Sequence, residues 1–166
     1  MTIEDLIESF GRSPDCRVFP PSGLPVVAKP SHVLPVDLVR FYEICGGVEL
    51  FWQSDFGFRI SGPSEFVSSN PVLLGEYYLR HKTEIDRDKS SNWYIAARGI
   101  LSPQEVVTID LGDRLGYCYD SFWDVYATGN SQIVALSFTD LLERLFEAKG
   151  QELHWESPIF DMGFAY

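Results

Sequence analysis

Apolar residues recur along this chain with two different periods. Near the N-terminus Ile3, Leu6, Ile7 and Phe10 fall three and four residues apart, the spacing of one helix face. Thr2 with Asp5 three residues later has the grammar of a helix N-cap, and Gly11 predicts the stop. A second helix is predicted over 34–45. Pro35 stands in its first turn, Leu34, Leu38, Phe41 and Cys45 form its stripe, and Gly46-Gly47 follows. The double glycine permits a left-handed cap that turns the chain into a strand. A third helix is predicted after Ser137, on Phe138, Leu141, Leu142 and Leu145, with Gly150 ending it.

Between these helices the pattern shortens. Strands are predicted at 48–52 and 58–60, paired across the turn at 54–57, with a short helix at 63–67. Further strands are predicted at 93–97, 106–109, 115–119 and 133–136. The short turn Leu111-Gly112-Asp113-Arg114 argues for antiparallel neighbours, since parallel strands need long crossovers. The expected fold is therefore α+β: a single domain over 1–166, an antiparallel meander with helices packed mainly on one face. Two segments fit neither period. Pro14, Pro20, Pro21, Pro25, Pro30 and Pro35 make 14–35 extended and irregular, and it is read as a surface strap because Val18, Phe19, Leu24, Val26 and Val27 need burial. The tail 151–166 carries Trp155, Ile159, Phe160, Met162, Phe164 and Tyr166. A segment so apolar is expected to dock on the body, along a sheet edge.

Charge narrows the partners. In 166 residues, 24 Asp and Glu outnumber 13 Lys and Arg, giving a net charge of −11. That sign disfavours nonspecific binding to nucleic acid or an anionic membrane, and it suits a basic protein partner or plain solubility. Segment 80–89 mixes Arg80, Lys82, Arg87 and Lys89 with Glu84, Asp86 and Asp88, and is expected to be an exposed loop. The acid excess therefore belongs to the rest of the chain. The N-terminus has neither a basic start nor an apolar run, so a cytoplasmic protein is expected. Cys16, Cys45 and Cys118 are too far apart for a disulfide framework or a thiolate zinc site, and are expected as small apolar residues.

No catalytic motif is present. G-x-S-x-G, the phosphate-binding loop and the dinucleotide fingerprint are all missing, and His32, His81 and His154 lack ligand spacing. No metal or other cofactor is expected, and no enzyme. The chemistry worth weighing sits in Asp110, Asp113, Asp120 and Asp124. These could form an acid pair for hydrolysis, a metal cluster, or a patch for a basic partner; aspartates also flank turns because they bond local backbone. Trp123 lies among them, in an aromatic region with few basic residues, which favours protein contact over stacking on nucleic acid. Candidate partner-binding residues are Asp110, Asp113, Asp120, Asp124 and Trp123, with Glu84, Asp86 and Asp88 from the mixed-charge loop.

Three blocks carry a resemblance. They are Leu34-Pro35 through Phe41-Tyr42 to Gly46-Gly47, then Ile109-Asp110 with Gly116-Tyr117-Cys118-Tyr119-Asp120, then Val134-Ala135-Leu136-Ser137-Phe138 running into Leu141-Leu142-Glu143. Their order and spacing over about 30–150 resemble the SUKH superfamily, which unites yeast cell-wall-synthesis regulators with bacterial immunity proteins. The resemblance implies an α+β fold without catalytic activity. It implies a bacterial immunity protein that neutralises a cognate polymorphic toxin, often a nuclease, or else a regulatory scaffold. The matched residues cap helices and fill the core, so they transfer no binding site. Together with the charge they lead to the expectation of a basic toxin domain as partner, met by a monomer or weak homodimer.

Overall fold

The computed structural model describes residues 1–166. Seven strands form one antiparallel sheet: β1 (Arg17–Val18), β2 (Val48–Leu50), β3 (Phe58–Ile60), β4 (Trp93–Gly99), β5 (Val106–Asp110), β6 (Cys118–Asp120) and β7 (Ile133–Ala135). Their spatial order is their chain order, so the sheet is the expected meander. Three longer helices, α1 (Ile3–Arg12), α2 (Val36–Ile44) and α6 (Phe138–Ala148), contact one another and pack on one face. The helices α3 (Ser69–Leu74), α4 (Glu76–Arg80) and α5 (Lys82–Ile85) are short and precede β4. No helix is long and apolar enough to cross a membrane.

Alternation along the strands divides two cores. Tyr94, Val107, Ile109, Cys118 and Val134 point to the helical face, where they meet Leu6, Phe10, Leu38, Phe41, Phe138 and Leu142. Trp93, Tyr119 and Ile133 point the other way and join Tyr126 and Ala165 in a smaller core, bordered by Leu73, Leu74 and Met162. A bulge shifts the register of β4 on β5 between Ile95 and Ala97, so Ala96 and Ala97 both reach the larger core.

The caps follow the sequence closely. Thr2 accepts from the Asp5 N–H at 3.1 Å, and Asp5 returns the bond to the Thr2 N–H at 3.1 Å. Ser137 accepts from the Asp140 N–H at 3.0 Å to start α6. Asp37, in the first turn of α2, accepts from both the N–H and the hydroxyl of Thr139 at 2.9 Å, tying α2 to α6.

Elsewhere tertiary demands override the local pattern. Helix α1 runs through Gly11 to Arg12, since the exposed glycine meets nothing and helical bonding continues past it. β2 stops at Leu50, because Phe51 takes φ +50°. β6 starts only at Cys118, because the turn before it includes Gly116 at φ +90°. The predicted helix at 63–67 is a turn. Glu65 there binds Arg59, and the Val67 carbonyl accepts from the Ile95 N–H at 2.9 Å, which draws the chain onto β4. Segment 80–89 is not a loop but mostly short helix, and α3 and α4 before it were not predicted.

The strap is held differently than expected. Leu24 and Val26 are 51% and 88% exposed, so they do not anchor it. Val18 and Val27 do pack on the larger core, as expected, and the Ala28 N–H donates to the Tyr94 hydroxyl at 2.6 Å. Buried His32 bridges Tyr94 at 2.8 Å and Asn92 at 3.1 Å. The glycine pair serves two ends, and Gly47 takes φ +116° where the chain turns into β2, a conformation that glycine permits. The residue capping α2 is Cys45 in an extended conformation, not a left-handed one. The strap crosses directly over Gly46, whose N–H donates to the Phe19 carbonyl at 2.9 Å, and a Cβ there would lie 2.3 Å from the Pro20 carbonyl oxygen. The tail does lie on a sheet edge. The Ile133 N–H donates to Gly163 at 2.9 Å and the Ala165 N–H to Ser131 at 2.8 Å, which covers the open side of β7. Lys89 fixes the tail from the other side, donating to the Ala165 carbonyl at 2.7 Å.

Gly46→Ala forces the strap off its seat. The expected loss is about 2–3 kcal/mol of folding stability, the cost of overpacking against backbone. Urea unfolding measures it, and a loss near zero would show that the strap yields freely.

Candidate functional site

The hairpin between β5 and β6 separates the aspartates. Asp110 is 3% exposed and fully engaged. It accepts from the Gly112 N–H at 2.7 Å and from the Tyr119 hydroxyl at 3.1 Å, so it closes the turn that follows β5. Asp113 stands exposed at the tip of that turn. Asp120 pairs with Val107 at the far end of the hairpin, where it accepts from the Phe122 N–H at 3.1 Å. Asp124 follows on an exposed turn, beside Trp123, which is 73% exposed.

The other three acids lie apart from all of these, around α5. Asp86 pairs with Lys82 and accepts from the Tyr78 hydroxyl at 2.9 Å. Asp88 caps the 3-10 turn Lys89–Asn92 through the Ser90 N–H at 3.0 Å and also receives the Tyr166 hydroxyl, which pins the tail. Glu84 is exposed. The eight candidate residues therefore occupy three places: the tip of the β5–β6 hairpin, its opposite end, and α5.

One of these places gathers further charge. Asp120 and Asp124 lie close enough to Glu105 and Glu156 for their charges to act on one another. Burial is the main cause that pushes the Glu105 carboxyl up to about 7, with Asp120, Glu156 and Asp124 adding to it. Asp120 is raised as well, again mostly by burial, while the Phe122 N–H works against the shift. Glu105 was legible in principle. It sits two residues before Val107, so strand parity puts it on the same face as Asp120. Glu156 had no such signal, since it arrives on the 3-10 turn His154–Glu156 of the tail. No three His, Cys, Asp or Glu side chains converge in metal-ligand geometry.

The reactive side chains elsewhere are enclosed. All three cysteines are free and buried. Burial pushes the Cys45 thiol up to about 11 and that of Cys118 well above its ordinary value. His154 donates from Nε2 to the Val134 carbonyl at 2.8 Å, and burial holds its pKa below the ordinary histidine value.

Two clefts open on the sheet face away from the long helices. One, of about 480 Å³, lies between Glu49, Arg59 and Glu65 on one side and Val72, Ile100 and Pro103 on the other. A neighbour of about 250 Å³ is lined by Leu73, Gln104, Val106, Trp123 and Tyr126. Val72, Arg98 and Pro103 line both. Arg59 and Arg98 are direct cross-strand neighbours. Two cations so placed repel, and Glu65 and Glu49 offset this at 2.8 and 3.3 Å from Arg59.

A meander covered by helices on one face, with its acids parted among three surfaces, defines an α+β protein. No family model matches the chain. The immunity protein YokJ of Bacillus subtilis strain 168 is 41% identical to it over 169 aligned positions, which take in all of this chain and 96% of that protein. The chain belongs to the family of that immunity protein, in agreement with the SUKH blocks of its sequence.

The Glu105 shift fixes a pH dependence. Its folded pKa lies above the ordinary 4.5, so the folded state holds the proton more tightly. The cost of the charge is absent below about pH 4.5 and complete above about pH 7. Glu105→Gln should therefore raise stability at pH 8 by about 1 kcal/mol, after discounting for partial exposure, and leave it unchanged at pH 4.5. Denaturant melts at the two pH values check this. An equal gain at both would point to packing rather than charge.

Proposed function

We propose that this protein is a non-enzymatic, cytoplasmic immunity protein that binds and blocks a toxin domain. The observation that carries the reading is the 41% identity, over the whole chain, to a protein named for immunity. The net charge of −11 supports a basic toxin as the target. A nuclease suits that sign, because its substrate groove must attract phosphates and an acidic protein can occupy it. The acidic end of the sheet, with Glu105, Asp120 and Asp124, supplies charge for steering, and the exposed Trp123, next to Asp124 in the chain, supplies an aromatic side chain for contact. The covered edge of β7 supports a monomer, or at most a weak homodimer. Nucleic acid and membrane are not partners in this reading, and no cofactor takes part.

Co-expression tests it directly. A toxin encoded beside the gene should arrest growth when its C-terminal domain is expressed alone, and this protein should restore growth. Binding measured with the purified domains should be tight, with an on-rate that falls about tenfold or more between low and high salt. Persistent arrest in the presence of the folded protein would overturn the reading. A salt-independent on-rate would remove the basic character of the partner while leaving the immunity role.

A further inference from the structure

The sheet carries a row of arginines on the face turned away from the long helices. Val18, Val48, Phe58, Ile60 and Ala97 point to the larger core, so alternation sends Arg17, Glu49, Arg59 and Arg98 to the opposite face. The register sets them side by side across four strands: Arg17 against Glu49, Glu49 against Arg59, Arg59 against Arg98. Val106 is the next position, so the charges end there. The smaller core covers other parts of this face, and the two clefts described above open beside Arg98. The chain as a whole has 24 acids to 13 cations, yet here three arginines meet Glu49 in the row and Glu65 from the turn after β3. The carboxylates around Asp120 take no part, because Asp120 pairs with Val107 and shares the helical side of the sheet with it.

The three arginines are answered unequally. Arg17 lies over the Trp52 ring at 3.8 Å. Arg59 takes both acids, with Glu65 at 2.8 Å and Glu49 at 3.3 Å. Glu65 is then spent: both of its oxygens accept from Arg59 Nε, and Oε1 also accepts from the Gly62 N–H at 3.0 Å. It feels the charge of Arg98 without bonding it. Arg98 itself makes one bond, to the Pro103 carbonyl at 3.3 Å, and most of its donors stay open. Its side chain is partly buried and forms a wall shared by the two clefts. Like charges directly opposite one another destabilise a sheet, and the chain's own acids relieve the Arg59–Arg98 pair from the Arg59 side alone.

Charge therefore selects what fits. A cation arriving at Arg98 would add to the repulsion, whereas a carboxylate would relieve it and meet the planar donor fork with two parallel bonds. The surroundings select the rest of the occupant. Ile95 lies on the floor of the larger cleft, and Val67 and Val72 on its walls are 36% and 51% exposed, so an apolar side chain is suited beside the acid.

We propose that the cleft beside Arg98 is the docking site for an acidic segment of the toxin domain, which seats an Asp or Glu on Arg98 and sets an apolar neighbour against Val72 and Ile95. The inference rests on the immunity reading above. It is independent of the net charge of the toxin, since a basic domain also displays acidic side chains. The partner supplies the counter-ion that Arg98 lacks in the free protein.

The test uses the full-length protein and the C-terminal domain of the toxin encoded beside its gene. Arg98→Gln, Arg98→Lys, Val72→Asp and a control are compared with the wild type, each checked for an unchanged or higher melt. The control, Arg12→Gln, removes the same charge from an exposed position on α1. Arg98→Gln and Val72→Asp should each weaken binding about tenfold or more and reduce protection from the toxin. Arg98→Lys keeps the charge but loses the fork, so it should fall between Arg98→Gln and the wild type, with the control within about twofold of wild type. Acidic side chains of the toxin domain are then replaced one at a time by Arg. One such replacement should lose binding to the wild type and regain it with Arg98→Glu, and failure of every replacement to do so would overturn the acidic occupant. If the wild type binds and protects while Arg98→Gln and Val72→Asp do so equally well, the docking site is wrong and the immunity role stands. If the wild type neither binds nor protects, the immunity role fails and the docking site fails with it. A wild-type dimer that Val72→Asp separates would assign the cleft to a second copy of this chain, and would also overturn the proposal.

Discussion

The structure depends on burying β4 and β5 on both faces. Every residue from Val106 to Asp110 is buried, and so is β4 from Trp93 to Ala97. An antiparallel sheet often leaves one face to water, but these two strands have no wet side. Polar side chains inside must therefore satisfy one another. Thr108 bonds Ser121 at 2.9 Å, Asp110 takes the Tyr119 hydroxyl, and Ser69 bonds Tyr126 at 2.7 Å. Such pairings fix the register, because a slip of one residue would strand each of them in an apolar core. Layers on both sides follow from the same demand: α1, α2 and α6 on one face, and α3, the 122–130 turn and the tail on the other.

That demand also explains what was legible in the sequence. The larger core rests on helices with strong 3.6-residue stripes, and Thr2, Pro35 and Ser137 announced all three. The strands announced themselves because their turns are short. The smaller core had no such signature. Trp93, Tyr119 and Ile133 sit on three different strands, and their cover comes from α3 and from Ala165 at the end of the chain. Nothing local in 69–80 marks a helix that exists to cap Trp93. In the strap the expectation holds for Val18 and Val27 but not for Leu24 and Val26, because in a proline-rich segment without a period hydrophobicity does not say which side chains face inward. Leu24 and Val26 face water, while the anchoring falls to Tyr94 and His32.

The candidate acids show the same limit from the side of charge. Asp110, Asp113, Asp120 and Asp124 are near in sequence, yet a hairpin carries its tip and its feet to opposite ends of the sheet. Proximity along the chain then means separation in space. The cluster that does form takes Glu105 from the turn just before β5 and Glu156 from the tail, far along the sequence. Asp110, Asp86 and Asp88 are spent on turns and caps, the ordinary work of short acidic side chains. A net charge of −11 is a sum over such different roles, and only part of it is available to a partner.

What remains available is distributed unevenly. Around Arg59 the acids are matched, whereas around Asp120 they face one another with no cation among the causes that set their pKa values. A protein selected only for solubility gains nothing from crowding buried carboxylates, since dispersed charge serves as well and costs less stability. Crowding of this kind is costly in the free protein and favourable in a complex with a cation. The instability of this corner in the free protein and the affinity for a basic partner proposed above are then two readings of one electrostatic fact, since the repulsion that Glu105→Gln relieves is the repulsion that an arriving cation would relieve.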